Sequence, residues 1–151
     1  WFWFLLFFTM IKVVADFFRA RSTGGKFFFV AFLIILDQLL KALSKYIGKS
    51  FFNSRIVGIE FADNSGVLLG VLVLVLVCVC ALWVRNGYSF PIGLIVVGGI
   101  SNVIDRILYG GVFDYLHILN LYFNLADVFV WAGCGLILLS VFRGRRSQSK
   151  I

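Results

Sequence analysis

Polar and apolar positions along the chain fall into long blocks. Four apolar blocks stand out, at residues 26–46, 66–84, 89–108 and 123–142. Each is long enough to cross the hydrocarbon core of a bilayer as a helix, which takes roughly 20 residues. The second, "GVLLGVLVLVLVCVCALWV", alternates Val and Leu in the manner of a strand. Both phases of that alternation are apolar over a length that suits a lipid-facing helix. Pro91 near the start of the third block fits a first helical turn, where a missing N–H is not needed. Between the blocks, "RNGY" (85–88) predicts a tight turn. Residues 47–65 mix polar and apolar positions, with β-like patches such as "RIVGIEF", and residues 109–122 form a third connection.

The ends differ from the blocks. "WFWFLLFFTM" places a short apolar run before Lys12, too short for a span. Met10 is the sole methionine, and residues 1–9 read as an over-extended start or a fragment, with residues 1–25 a cytoplasmic segment. No basic stretch precedes the apolar run and no small-residue cleavage site follows it, so it does not read as a secretory signal peptide. Residues 143–151, with "RGRRSQSK", read as a basic, disordered cytoplasmic tail. The domain plan is thus a membrane unit at 26–142 between two cytoplasmic ends.

Composition sharpens this. Hydrophobic residues make up 62% of the 151 positions, charged residues 14%, and the mean hydropathy is +1.02. Soluble domains carry about 25% charged residues, so one globular core could not hide this much apolar surface. The net charge of +7 invites a nucleic-acid reading, but no aromatics are interleaved with basic residues on a polar face. Lys and Arg at the cytoplasmic ends of spans explain the charge better. With the N-terminus inside, Lys12, Arg19, Arg21, Lys26, Arg85, Arg143, Arg145, Arg146 and Lys150 fall inside, and Lys41, Lys45, Lys49, Arg55 and Arg106 fall outside. Both termini are then cytoplasmic, and both long connections face outward. Cys78, Cys80 and Cys134 lie in apolar runs and read as packing residues. His117 stands alone, so no metal site is expected.

The candidate chemistry is acidic. Of seven acidic residues, Asp37, Asp105, Asp114 and Asp127 lie within or at the ends of spans, all toward the outer side. An acid at a helix centre costs roughly 2.5–3.5 kcal/mol on insertion scales, so four at one face point to a polar site. Asp37 and Lys41 are four apart and read as an ion pair on one helix face. Gly98, Asn102 and Asp105 share a stripe; Gly98 admits a close neighbouring helix. Arg106 and Asn102 offer Asp105 local partners, which assigns it a supporting role. Asp114 and Asp127 have no adjacent base. If their helices are antiparallel neighbours, the two carboxyls converge and share a proton. Such a pair could activate water with one member and polarise a carbonyl with the other. Spacing alone also admits two aspartates that cap helices or pair with lysine, and it admits ion translocation.

The motifs "DQLLK" (37–41), "NSG" (64–66), "GGISNVIDR" (98–106), "GVFDYL" (111–116) and "FNLAD" (123–127) stand in an order and spacing that resembles bacterial lipoprotein signal peptidase, also called signal peptidase II. The resemblance covers about residues 26–142. It implies a mainly α membrane protein of four transmembrane helices, with a small extramembrane β platform and a short loop helix over the site. It implies an aspartic endopeptidase of the bacterial cytoplasmic membrane that works without cofactor or metal. Its partners would be diacylglyceryl-modified prolipoproteins and membrane lipid, not nucleic acid. The cut falls just before the lipidated cysteine, and the chain is expected to act as a monomer. By motif position, Asp114 and Asp127 are the catalytic pair. Asp37, Lys41, Asn64, Gly66, Gly98, Asn102, Asp105, Arg106, Asn124 and Ala126 bind substrate or support the site. Leu40 replaces a frequent Thr, Asp63 precedes Asn64, and "VLLG" follows "NSG"; these departures bear on the substrate pocket more than on catalysis. The alternative is a small transporter or channel that uses membrane carboxylates. A relay would place its acids at several depths, whereas these collect at one face.

Overall fold

The computed structural model describes residues 22–56, 59–60, 65–87 and 89–148. The expected over-extended start, Asp63, Asn64 and the last three residues lie outside them. Among the described residues there are four helices: α1 (Thr23–Tyr46), α2 (Ser65–Arg85), α3 (Phe90–Tyr109) and α4 (Leu125–Gln148). All four are long and apolar enough to cross a membrane. The Val-Leu alternation of α2 is helical, as its two apolar phases require. Ser22 caps α1 by accepting from the Gly25 N–H at 3.4 Å. α3 starts after Ser89 with Pro91 in its first turn. It stops at Gly110, whose left-handed φ of 73° lets its N–H return to the Arg106 carbonyl.

α4 corrects one expectation. It continues through "RGRRSQ" to Gln148, where a disordered tail was expected from residue 143. Arg and Gln are good helix formers, and one interior glycine costs only about 1 kcal/mol, so the span's helix propagates past the apolar block.

α3 packs against all three other helices, most extensively against α4. The tight core is small: Val30 of α1, Trp83 of α2, and Val96 and Val97 of α3. Trp83 donates its indole N–H to the Ser89 carbonyl at 3.0 Å, which secures the α2–α3 turn. Many large apolar side chains, such as Phe28, Val67, Leu74 and Leu138, point outward, as suits contact with lipid. Lipid tails are as apolar as leucine, so close packing must hold the helices together. Gly98 supplies it at α3–α4. A Cβ there would overlap the Ala126 carbonyl and come within 2.6 Å of Val130 Cγ2. Gly98→Ala is therefore expected to wedge α3 from α4, cost about 1–3 kcal/mol as overpacking does, and lower the unfolding midpoint in detergent micelles. An unchanged midpoint would show that the contact gives way freely.

Among the described residues, six short strands gather at one end of the bundle. β1 (Phe51–Asn53) pairs antiparallel with β4 (Val112–Asp114), in the register Phe51↔Asp114 and Asn53↔Val112. β2 (Arg55–Ile56) pairs with β3 (Ile59–Glu60), and β5 (Leu116–Ile118) with β6 (Leu121–Phe123). The platform expected from residues 47–65 thus draws a strand from the third connection as well. The short loop helix expected over the site is replaced by the β5–β6 hairpin. Ile118, Tyr122 and Phe123 favour strands, and they flank a two-residue turn, Leu119 (φ 49°) and Asn120 (φ 66°). Positive φ at both turn positions matches the twist of a tight hairpin.

Candidate active site

The site grows from three helices and the β1–β4 pair. α1 brings Asp37, Gln38 and Lys41 to one side, and α3 brings Ser101, Asn102 and Asp105 opposite. Lys41, 3% exposed, lies 2.8 Å from Asp37 Oδ2 and 3.0 Å from Asp105 Oδ2. The ion pair expected within α1 is present, but it extends across to α3. Lys41 also donates to Asn102 Oδ1 at 3.0 Å. The Gln38 side-chain amide donates to Asp105 Oδ1 at 3.0 Å and to the Ser101 hydroxyl oxygen at 2.9 Å. The Ser101 hydroxyl in turn donates to Asp37 Oδ2 at 2.6 Å. Buried charges persist only when paired and hydrogen-bonded, and each member of this group is.

The same network starts α4. A helix opens with N–H groups that lack partners within the helix. Here side chains take the first three. Leu125 N–H donates to the Tyr115 hydroxyl oxygen at 3.2 Å, Ala126 N–H to Asp37 Oδ1 at 3.2 Å, and Asp127 N–H to Asn124 Oδ1 at 3.1 Å. Asp127 Oδ2 accepts the Asn124 N–H at 3.2 Å, which completes a reciprocal capping box. The Tyr115 hydroxyl donates to Asp37 Oδ1 at 3.1 Å. Burial and the nearby Asp37 charge push that hydroxyl well above its ordinary pKa, so it keeps its proton and remains a donor.

Asp114 and Asp127 meet at this helix start. Asn124 links them: its Oδ1 caps Asp127, and its Nδ2 donates to Asp114 Oδ1 at 2.7 Å. Asn53 on β1 donates to Asp114 Oδ2 at 3.2 Å. Asn102 donates to Asp127 Oδ1 at 2.8 Å while its own oxygen accepts from Lys41. Burial pushes the Asp114 carboxyl above its ordinary value. The hydrogen bonds from Asn53 and Asn124 oppose that shift, the Asp127 charge adds to it, and Lys41 opposes it. The guanidinium of Arg106 interacts electrostatically with Asp127, Asp114 and Asp105.

Most residues singled out from the sequence therefore converge. Asp37, Lys41, Asn102, Asp105, Arg106, Asp114, Asn124 and Asp127 join one polar network, while Gly98 and the buried Ala126 close its α3–α4 seam. Gly66 does not join it; it lies exposed at the start of α2 with open space around it. Four participants were not foreseen. Gln38, Ser101 and Tyr115 sit inside the quoted motifs, and for Gln38 and Ser101 a polar side chain within a span was the available signal. Asn53 belongs to no motif. Its place depends on β1 pairing with β4, which brings Asn53 against Asp114, 61 residues further along the chain.

Known proteins share this plan. A family model described as signal peptidase (SPase) II matches residues 29–143. The lipoprotein signal peptidases of Brucella ovis, Brucella canis and Brucella suis are each 31% identical over 157 residues, covering 86% of this chain and 97% of theirs. Two bacterial membrane enzymes solved by the in meso method, at 2.3 Å and 1.9 Å, share the fold, with TM-scores of 0.67 and 0.66 at 22% identity. The matches cover 82% and 80% of this chain and 90% and 94% of theirs.

Proposed function

The chain belongs to the signal peptidase II family, a family of aspartic proteases that acts on lipoprotein precursors in the membrane, and we propose that Asp114 and Asp127 are its catalytic pair. The observation that carries this reading is the single Asn124 amide that holds Asp114 with its nitrogen and caps Asp127 with its oxygen. Two acids bound to one rigid amide are fixed relative to each other before substrate arrives, which is what acid–base work on one carbonyl requires.

The role of proton holder is assigned to Asp114, whose carboxyl burial pushes above its ordinary value against the opposing hydrogen bonds from Asn53 and Asn124. Asp127 accepts hydrogen bonds on both oxygens at a helix N-terminus, where a negative charge is favoured. Asp127 then takes a proton from water as the water attacks the scissile carbonyl, and Asp114 donates its proton toward the carbonyl oxygen. Arg106 supplies positive charge beside both. The substrate is a diacylglyceryl-modified prolipoprotein, cut on the N-terminal side of its lipidated cysteine. The site faces the outer side of the cytoplasmic membrane, with both termini inside, and the chain acts as a monomer. The transporter alternative gains no support from a family of proteases.

Incubation of the purified protein with a synthetic lipidated precursor tests this. The expected product is a peptide that begins at the lipidated cysteine, seen by mass spectrometry. An intact precursor, or a cut elsewhere, would sink the assignment.

The pH dependence follows from Asp114. A carboxyl with a raised folded-state pKa contributes stability in its protonated form. That contribution is complete below the unfolded carboxylate value and is lost as pH rises through the folded one. Activity falls over the same alkaline limb as the proton leaves. The Asn53 hydrogen bond favours the ionised form, so Asn53→Ala should move the alkaline limb of the pH–rate profile to higher pH. A limb that stays put or moves down would remove Asp114 from the role of proton holder.

A further inference from the structure

The β5–β6 hairpin leaves Asp114 and returns at Asn124, and its two faces differ. Residues paired across antiparallel strands share a face. Leu116 pairs with Phe123 and Ile118 with Leu121, so one face is wholly apolar; His117 and Tyr122 form the other. The second face carries a ring stack, Phe51 on Tyr122 at 4.7 Å between centroids and Tyr122 on His117 at 4.4 Å, and it keeps polar atoms at the surface, with Tyr122 47% exposed. The apolar face is open at its tip, where Ile118 is 58%, Leu121 63% and the turn residue Leu119 90% exposed.

We propose that this apolar face and the Leu119 tip lie in the bilayer, in the interfacial zone of the outer leaflet, with membrane lipid as the occupant. Continuity with the lipid-facing surface supports this. Phe123, on the same face, packs its ring against Trp131 of α4 at 5.5 Å, and Trp131 is itself 58% exposed on that span. Trp131 lies six residues past Leu125, about 9 Å along the helix. The Phe123 ring, at the return end of the hairpin, thus reaches down the side of α4 and joins the hairpin's apolar face to the surface that α4 shows to lipid. The turn chemistry points the same way. A position with φ 49° favours Asn or Gly, yet it carries Leu119 with its side chain outward. Against the described residues Leu119 stays 90% exposed, a placement that lipid would reward. The hairpin becomes a shallow anchor that fixes the height of the Asp114–Asn124 segment at the membrane surface.

The test does not depend on catalysis. Cys78, Cys80 and Cys134 are replaced by alanine, and Leu119→Cys or Leu121→Cys is labelled with a nitroxide. Reference labels go on lipid-facing Val75 and on exposed Asn86. The protein is placed in phosphatidylethanolamine–phosphatidylglycerol vesicles, and collisional accessibility to oxygen and to a polar nickel chelate is read by electron spin resonance. Labels at 119 and 121 should favour oxygen over nickel several-fold relative to the label at 86, approaching the label at 75. Nickel accessibility equal to that at 86 overturns the proposal. So does a lipid-like signal that arises only after addition of a lipidated precursor, because the face would then belong to the substrate. Two independent label positions keep the test valid if one variant fails to fold.

Discussion

Asp114→Asn and Asp127→Asn are each expected to reduce cleavage of a lipidated precursor by about 10²–10⁴-fold or more, the usual scale for one acid or base group, while the protein still inserts and folds. The substitution keeps the shape of the side chain. At position 114 an amide can still accept one bond from Asn53 or Asn124, but it carries no proton to give to a carbonyl oxygen. At position 127 an amide oxygen can still accept the Asn124 N–H at the start of α4, but it cannot take a proton from water. Substrate binding should change little, since neither substitution alters the apolar surfaces that hold a lipid. The checks are the single-turnover cleavage rate, KM and the unfolding midpoint, measured together. Full activity in either variant would refute the pair.

Lys41→Met is expected to produce the largest loss of stability. The ammonium touches two carboxylates that are 0% and 1% exposed, Asp37 and Asp105. Removing one partner of a buried ion pair leaves uncompensated charge and costs about 3–5 kcal/mol. Activity should fall too, along a short path. Asn102 loses the donor that orients its oxygen, and its amide then no longer points reliably at Asp127. Combining Lys41→Met with Asp105→Asn should recover part of the stability, because one of the stranded charges is gone. Thermal unfolding in detergent reads both effects. An unchanged midpoint in Lys41→Met would mean that water or lipid headgroups reach these carboxylates.

The four spans were legible because membrane crossing is written in block length, and block length is local. The polar network was half legible for a related reason. Asp37 and Lys41, or Asn102 and Asp105, lie a helical turn apart, so their shared faces follow from the period alone. The partner across the helices does not follow: Lys41 reaches Asp105 only because α1 and α3 pack side by side. Asn53 was hidden for the same reason, since strand pairing between distant segments leaves no local trace. The loop helix failed differently. It rested on resemblance, while Ile118, Tyr122 and Phe123 around Asn120 favour strands and a turn. At the tail, charge composition suggested disorder, although Arg and Gln extend a helix readily once a span has nucleated it.

Asn124 has one further consequence. Helix ends ordinarily fray, opening and closing their first turn at little cost. In α4 the first turn cannot open without releasing Asp127 from its cap and Asp114 from the Asn124 amide together. Helix end and acid pair thus form one cooperative unit. Local melting at this point would switch the site off as a whole, leaving no half-assembled state in which one carboxyl acts alone.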